Sequence, residues 1–344
     1  MKRNRVADFD YDLPRELIAQ EPLPERDRSR MLVLRRLSGE VTHTFFSSLP
    51  DYLAKGDLLV LNDTRVLPAR LWGKKAGTGG KVEFLLLRQL EGNQWDVLCS
   101  PGRKARPGDT FHFAAGLLEG EILAATGEGT RTVLFKTDQD FFGILREIGE
   151  TPLPPYIKKT QQDPRRYQTI FAQKAGSAAA PTAGLHFTPQ TFQRLEDKGI
   201  ELSFLTLHVG LGTFRPIKTE YVEEHEMHRE YFELAPAAAA QINRAKARGS
   251  RVIAVGTTTC RVLESVSGEN GLVAPRRGET GLFISPGYAF KLVDGLLTNF
   301  HLPRSTLLMM ICAYAGKDQV FQAYREAIQK KYRFFSFGDC MLII

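Results

Sequence analysis

The sequence is poor in cysteine: Cys99, Cys260, Cys312 and Cys340 are its only four, and no two are close enough for a C-x-x-C pair. That excludes the usual zinc-ligand spacing and gives a disulfide framework nothing to build on, so a reducing cytoplasm is the expected compartment. Long apolar runs are missing too. The longest, residues 307–315, falls far short of the ~20 residues that a membrane-spanning helix needs. Basic residues at the N-terminus are followed at once by Asp8, Asp10 and Asp12, which leaves a signal peptide no apolar segment. There is no H-E-x-x-H helix for a metal and no lysine-bearing glycine loop for a nucleoside triphosphate.

What is present suits a globular protein. A chain of 344 residues, 43% hydrophobic, can bury a sizeable core, and its length favours two domains over one. The formal net charge of +7 favours a polyanionic partner. The first sixty residues read as α/β, with helices near 14–20 and 50–55 and strands at 31–37 and 57–61. From about 67 to 136 the pattern turns to short β segments, at 67–72, 81–87, 94–99, 110–113, 118–125 and 131–135, parted by glycine-rich turns. Evenly spaced short strands predict a small β-barrel or sandwich. After the prolines at 152–155 the α/β pattern returns, with helices at 189–198, 236–248, 305–315 and 319–331 and strands at 200–209, 231–234, 251–255, 281–284 and 295–300. The expected architecture is an α/β main domain, residues 1–64 and 151–344, carrying the main site and interrupted by an inserted β-barrel-like domain at 65–150.

Ligands of open α/β sheets gather beyond the carboxyl ends of the strands. Three such ends here run into small or polar residues. The strand at 200–209 leads into LHVGLGTF at 207–214, with His208, Gly210, Gly212 and Thr213. Glycine there lets a ligand approach the main chain, although a tight turn has the same composition. The strand at 251–255 leads through VGTTTCR at 255–261 into a helix, so the amides and hydroxyls of Thr257, Thr258 and Thr259, with Arg261 behind them, can meet an anion. Plain capping accounts for one of those threonines, not three. The loop PTAGLHFT at 181–188 places Thr182, Gly184 and His186 just before a helix, with room for a flat ring, though a histidine satisfied by the helix cap fits the same residues. Two polar turns, LNDTRV at 61–66 with Asp63, Thr64 and Arg65, and TNFHLP at 298–303 with Asn299 and His301, converge on the same crevice if their strands are neighbours.

His225, Glu226 and His228 resemble half a metal site, but in an extended segment the two imidazoles point to opposite faces, so no metal is expected. Lys158, Lys159, Arg165 and Arg166 lie in a stretch that also carries Tyr156, Tyr167 and Phe171. Solvated loop charge with core aromatics is one reading of that mixture. Phosphate contact with base stacking is the other.

Taken together, these segments resemble the S-adenosylmethionine:tRNA ribosyltransferase-isomerase family of queuosine biosynthesis, and with FDYDLP at 9–14 and IAQEP at 18–22 the likeness runs essentially end to end. The resemblance implies transfer and isomerisation of the ribosyl part of S-adenosyl-L-methionine onto 7-aminomethyl-7-deazaguanine at the tRNA wobble position. Epoxyqueuosine forms, and adenine and methionine leave. It implies no metal or other cofactor, the S-adenosylmethionine being consumed as a cosubstrate, and an α/β fold with a β-barrel insertion.

On this chain the proton-transfer group is expected to be His186 or His208, with Asp63 or Asp294 holding the amine, the sulfonium or a sugar hydroxyl. Gly210, Gly212 and Thr213 line the nucleoside, and Thr257 to Thr259 take its carboxylate or a tRNA phosphate. Asn299 and His301 close the pocket, and Thr64, Arg65, Thr182, Gly184 and Arg261 complete the substrate contacts. Lys158, Lys159, Arg165 and Arg166 meet the tRNA, and a monomer is expected. The competing readings are an S-adenosylmethionine-dependent RNA methyltransferase and a non-catalytic RNA-binding protein.

Overall fold

A computed structural model describes residues 3–126, 129–159, 161, 163–210 and 217–344. Contacts divide the chain into two compact units: Met1–Thr64, Pro154–Lys174 and Pro181–Ile344 form the first, Arg65–Leu153 and Ala175–Ala180 the second. Along the chain come β1 (Arg30–Leu34), β2 (Val41–Phe45), β3 (Leu58–Asn62) and the short β4 (Thr64–Val66). Six strands follow: β5 (Arg70–Lys75), β6 (Lys81–Gln89), β7 (Gln94–Ser100), β8 (Thr110–Phe113), β9 (Leu118–Ala125) and β10 (Thr130–Lys136). Then come α1 (Phe141–Ile148), β11 (Lys174–Ser177), α2 (Pro189–Asp197), β12 (Glu201–Leu207), β13 (Glu230–Leu234), α3 (Pro236–Ala247) and β14 (Val252–Val255). The chain ends with α4 (Thr257–Val266), β15 (Arg276–Thr280), β16 (Gly295–Asn299), α5 (Thr306–Ala315), α6 (Lys317–Gln329) and β17 (Cys340–Ile343). No helix among the described residues is long and apolar enough to cross a membrane.

The first unit is built on a nine-stranded sheet in the order β15-β13-β12-β3-β14-β16-β17-β1-β2. Its middle, β12-β3-β14-β16, is parallel throughout, with Leu205 opposite Asn62, Val60 opposite Ala254, and Val255 opposite Leu297. A parallel sheet is covered on both faces, which is why all five residues of β3 are apolar or buried and why Leu59 and Leu61 pack with Ile253, Leu297, Phe187 and Leu195 in one core. The helices start on sequence signals. Thr188 caps α2 by accepting from the Thr191 amide, with Pro189 in the first turn, and Ser305 caps α5 through the Leu308 amide. Gly256, at φ +94°, makes the sharp turn from β14 into α4 that a side chain would strain.

In the second unit β5 to β10 close into a barrel in the order β10-β7-β6-β5-β8-β9, so the fold is the α/β architecture with a β-barrel that the sequence pattern predicts. Phe84, Phe111, Phe113 and Phe135 fill it.

Several elements differ from expectation. The helices expected near 14–20 and 50–55 are 3-10 turns, Arg15–Leu17 and Phe46–Tyr52. The strand expected at 281–284 lies instead at β15, an edge strand whose exposed Arg276 and Arg277 carry no apolar alternation to betray it. Strands β2 and β17 and helix α1 were not anticipated. β17 is a buried Cys340-Met341-Leu342-Ile343 run at the chain end, too short for periodicity to show.

Candidate active site

Because β12, β3, β14 and β16 are parallel neighbours, their carboxyl ends form one row, roughly 14 Å long at three strand spacings. At the end of β12, His208 is half-buried; its Nδ1 lies 2.8 Å from Thr64 Oγ1, and its ring stacks on Tyr231 at a centroid distance of 5.5 Å. At the end of β3, Asn62 ties three elements together. Its amide donates to Leu207 O at 3.0 Å and Thr258 Oγ1 at 3.4 Å, while its Oδ1 accepts from the Leu207 and Thr64 amides at 3.0 and 3.1 Å. Asp63 is 7% exposed and accepts from Thr206 Oγ1 at 2.6 Å. At the end of β16, Asn299 accepts from Thr182 Oγ1 at 3.0 Å, and its amide lies 3.3 Å from His186 Nε2.

Burial sets the proton affinities in this row. It pushes His208 down to about 4, with Lys174 adding to the shift and Glu233 opposing it. His186, 4% exposed, falls to about 3 through burial and then the Arg26 charge. Both imidazoles are therefore neutral at neutral pH and can accept a proton. Burial raises the Asp63 carboxyl above the ordinary value, against the pull of Thr206 and Lys174.

The structure brings His186, His208, Asp63, Thr64, Thr182, Thr258 and Asn299 to this row. Thr257 stands beside them in the first turn of α4, where Gly256 offers no side-chain cap and leaves the amides open to an anion. Gly210 follows His208, and its amide donates to Glu230 Oε1 at 2.9 Å. Gly212 and Thr213 lie outside the described residues.

Other expected contacts are placed elsewhere. Asp294 precedes β16 and so stands at the amino end of the sheet, opposite the row, held by Lys246 at 3.2 Å and the Val252 amide at 2.9 Å. The Thr259 hydroxyl turns back to Val255 O at 2.8 Å, as β-branched hydroxyls do inside helices. Arg261 is 1% exposed and faces Glu230 at 2.5 Å and Leu282 O at 3.1 Å, not a crevice. Gly184 lacks a side chain for packing, since a Cβ there would meet Phe171 Cζ at 2.7 Å. His301 is closed in: its ring bonds Thr298 Oγ1 at 2.7 Å, its amide donates to Tyr324 Oη at 2.9 Å, and Tyr11 Oη donates to its carbonyl. Arg65 is exposed on β4, within the second unit.

Among the expected RNA contacts, Lys159 pairs with Glu21, Arg165 with Asp163 at 2.9 Å, and the Lys158 amide donates to Gln20 Oε1 at 2.8 Å. Tyr167 and Phe171 are core anchors, packed on Phe337 and on Phe187, Phe192 and Phe204. His225 packs on Phe283 and His228 faces Glu230 at 3.2 Å; among the described residues no three metal-binding side chains converge.

Sequence reasoning missed the group behind the Gly210 turn. Glu230, 3% exposed, receives the Gly210 amide, Arg261 and His228; burial alone would raise its carboxyl, and those contacts outweigh it and hold it below the ordinary value. Lys174, paired with Glu233 at 2.9 Å near His208, was missed as well. A carboxylate in an alternating strand such as β13 reads as solvent-facing, and only the neighbouring buried arginine reveals it.

A family model described as queuosine biosynthesis protein matches residues 6–343. An S-adenosylmethionine:tRNA ribosyltransferase-isomerase of Carboxydothermus hydrogenoformans is 56% identical over 340 residues, 99% of this chain and 100% of the relative. Another, of Natranaerobius thermophilus, is 55% identical over 340 residues, 98% of this chain and 99% of the relative. Among solved structures, an S-adenosylmethionine tRNA ribosyltransferase from Thermotoga maritima is similar at a TM-score of 0.56 and 38% identity, covering 98% of this chain and 100% of that one.

Proposed function

The chain belongs to the queuosine biosynthesis protein family, and from that premise we propose that it is a transferase-isomerase moving the ribosyl part of S-adenosylmethionine onto 7-aminomethyl-7-deazaguanine at the tRNA wobble position. Epoxyqueuosine-tRNA forms, and adenine and methionine leave. The cosubstrate is consumed, no further cofactor takes part, and the enzyme acts in the cytoplasm as a monomer. Four buried free thiols suit that reducing compartment.

The observation that carries this reading is the placing of the His208 imidazole at one end of the row, its Nδ1 2.8 Å from Thr64 Oγ1. The sulfonium of the cosubstrate acidifies the hydrogens on the adjoining 5′ carbon. His208, the less buried of the two histidines and with one ring nitrogen free of Thr64, takes one of them. The sugar ring opens and expels adenine, which leaves protonated. The amine of the base adds at C4′ of the vinyl sulfonium that remains. The carbanion regenerated at C5′ closes on the C1′ carbonyl, and the alkoxide formed there displaces methionine from C5′ to give the epoxide. Asp63, its carboxyl raised by burial, receives or returns protons at the amine, while Thr182, His186 and Asn299 hold the nucleoside and the open amides of α4 take the methionine carboxylate.

Purified protein incubated with S-adenosylmethionine and tRNA carrying the aminomethyl base tests this. Adenine and methionine are expected in equal amounts with the modified tRNA. S-adenosylhomocysteine in their place overturns the reading in favour of methyl transfer. Persistent tRNA binding with neither product leaves a binding protein.

A further inference from the structure

A second concavity in the first unit shares only His186 with the polar row. Its polar lining is Arg26, Arg166, Ser29, Ser336 and His186, with no carboxylate among the lining residues. Both guanidiniums are half-buried, and among the described residues main-chain carbonyls alone hold them. Arg26 donates to Leu185 O at 2.9 Å and Arg165 O at 3.5 Å, Arg166 to Pro24 O at 2.8 Å and Leu23 O at 2.5 Å. Arg166 Nε is buried with no partner among the described residues. Asp163, the acid whose field reaches Arg26, is paired with Arg165.

Two cations drawn partly out of water side by side, sharing the field of Asp163 with Arg165, are costly unless an anion completes them. Each has donors to spare, in the planar fork that matches phosphate oxygens two at a time. The concavity is not sealed. An adjoining groove shares Arg26 and Arg166 and continues past Thr188 and Gln190 at the start of α2. Of the acids of that groove, Glu25 is paired with Arg28 at 3.3 Å, and Asp27 accepts from the Thr188 hydroxyl at 3.3 Å and keeps its charge. A chain can therefore run along the groove and lower one charged group between the two arginines.

We propose that this concavity seats one phosphodiester of the RNA backbone, clasped by Arg26 and Arg166. The inference rests on the reading that tRNA is the substrate. A seated phosphate also meets the positive field that Arg26 and Arg333 impose on His186, so RNA docking is coupled to the histidine that faces Asn299.

The test uses the full chain with Arg26→Gln, Arg166→Gln and Arg166→Lys, measuring tRNA affinity across a salt series and, separately, S-adenosylmethionine affinity by calorimetry without RNA. Each glutamine variant is expected to weaken tRNA binding roughly three- to tenfold, and to lower the slope of log affinity against log salt by about 0.7 to 0.9, the value of one lost phosphate contact. Arg166→Lys keeps the charge and so keeps the slope. S-adenosylmethionine affinity stays unchanged. An unaltered salt slope in both glutamine variants overturns the proposal, and so does a selective loss of S-adenosylmethionine affinity, which makes a carboxylate the occupant. Failure of wild-type protein to bind tRNA strikes the function itself, and is thereby distinct from failure of the seat.

Discussion

Thr64 Oγ1 lies 2.8 Å from Nδ1 of His208 and 3.5 Å from the carbonyl of Lys174. A hydroxyl that donates to the carbonyl accepts from Nδ1–H, and the lone pair is then left on Nε2. The threonine thus selects which nitrogen of His208 can take a proton. Thr64→Val keeps the shape and removes the selection. We expect it to lower kcat for adenine release at least tenfold with KM within about twofold, the pattern of an interaction that matters in the transition state, and Thr64→Ser to restore most of the rate. A valine enzyme with normal kcat removes Thr64 from the mechanism.

The buried histidines make stability fall in acid. Folding depresses His186 and His301 to about 3 and His208 to about 4, so below their unfolded value near 6.5 the unfolded chain binds protons that the native chain refuses. Stability is complete above about pH 6.5 and declines as pH drops toward the folded values, by on the order of 1 kcal/mol per pH unit for each histidine. Urea unfolding of His186→Gln beside wild type, at pH 7 and pH 4.5, isolates one of the three. The variant should lose less stability over that interval by on the order of 2 kcal/mol. Parallel losses in the two proteins show that His186 is not the group being protonated.

The sheet core and the barrel were legible because β3 is an unbroken apolar run and β5 to β10 recur at even spacing between glycine turns. The row of strand ends was legible for the same reason: Asn62, His208, Thr258 and Asn299 each follow an apolar strand, and parallel pairing then aligns them. What sequence could not supply was the direction of each side chain. His301 and Asn299 are two residues apart, yet one ring is sealed against Thr298 and the other amide meets His186. Asp294 is polar and adjoins the same strand, but at its amino end. Arg26 and Arg166 are distant in the chain, and only folding sets their two guanidiniums in one concavity.

Glu230 and Arg261 are an ion pair at 2.5 Å, both nearly inaccessible, and Glu230 also fixes the Gly210 amide beside His208. Removing Arg261 takes the guanidinium at 2.5 Å away from a nearly inaccessible carboxylate. Arg261→Met is expected to cost about 3–5 kcal/mol in urea unfolding, and the double variant Arg261→Met with Glu230→Gln considerably less, because the buried carboxylate charge is then removed together with its guanidinium. Activity should not return with stability, since the neutral amide holds Gly210 less firmly than the carboxylate did. Equal stability of the single and double variants is incompatible with this account.

The barrel depends on an absent side chain. A Cβ at Gly73 would lie 2.9 Å from Phe113 Cε1 and 3.1 Å from Phe84 Cε2, and on the other edge of the same ring a Cβ at Gly120 would lie 3.1 Å from Phe113 Cε2. Phe113 cannot move aside, because Phe84 and Phe135 flank it at centroid distances of 5.0 and 5.8 Å. Gly73→Ala is therefore expected to destabilise the barrel by about 1–3 kcal/mol, read as a drop in thermal midpoint, although alanine suits a strand better than glycine does. Phe113→Leu alone opens a void and is destabilising too. Combined with Gly73→Ala it supplies the space that the new methyl needs, so the double variant should be more stable than the sum of the two losses allows. Strict additivity would place the two residues out of contact and contradict the packing of this wall.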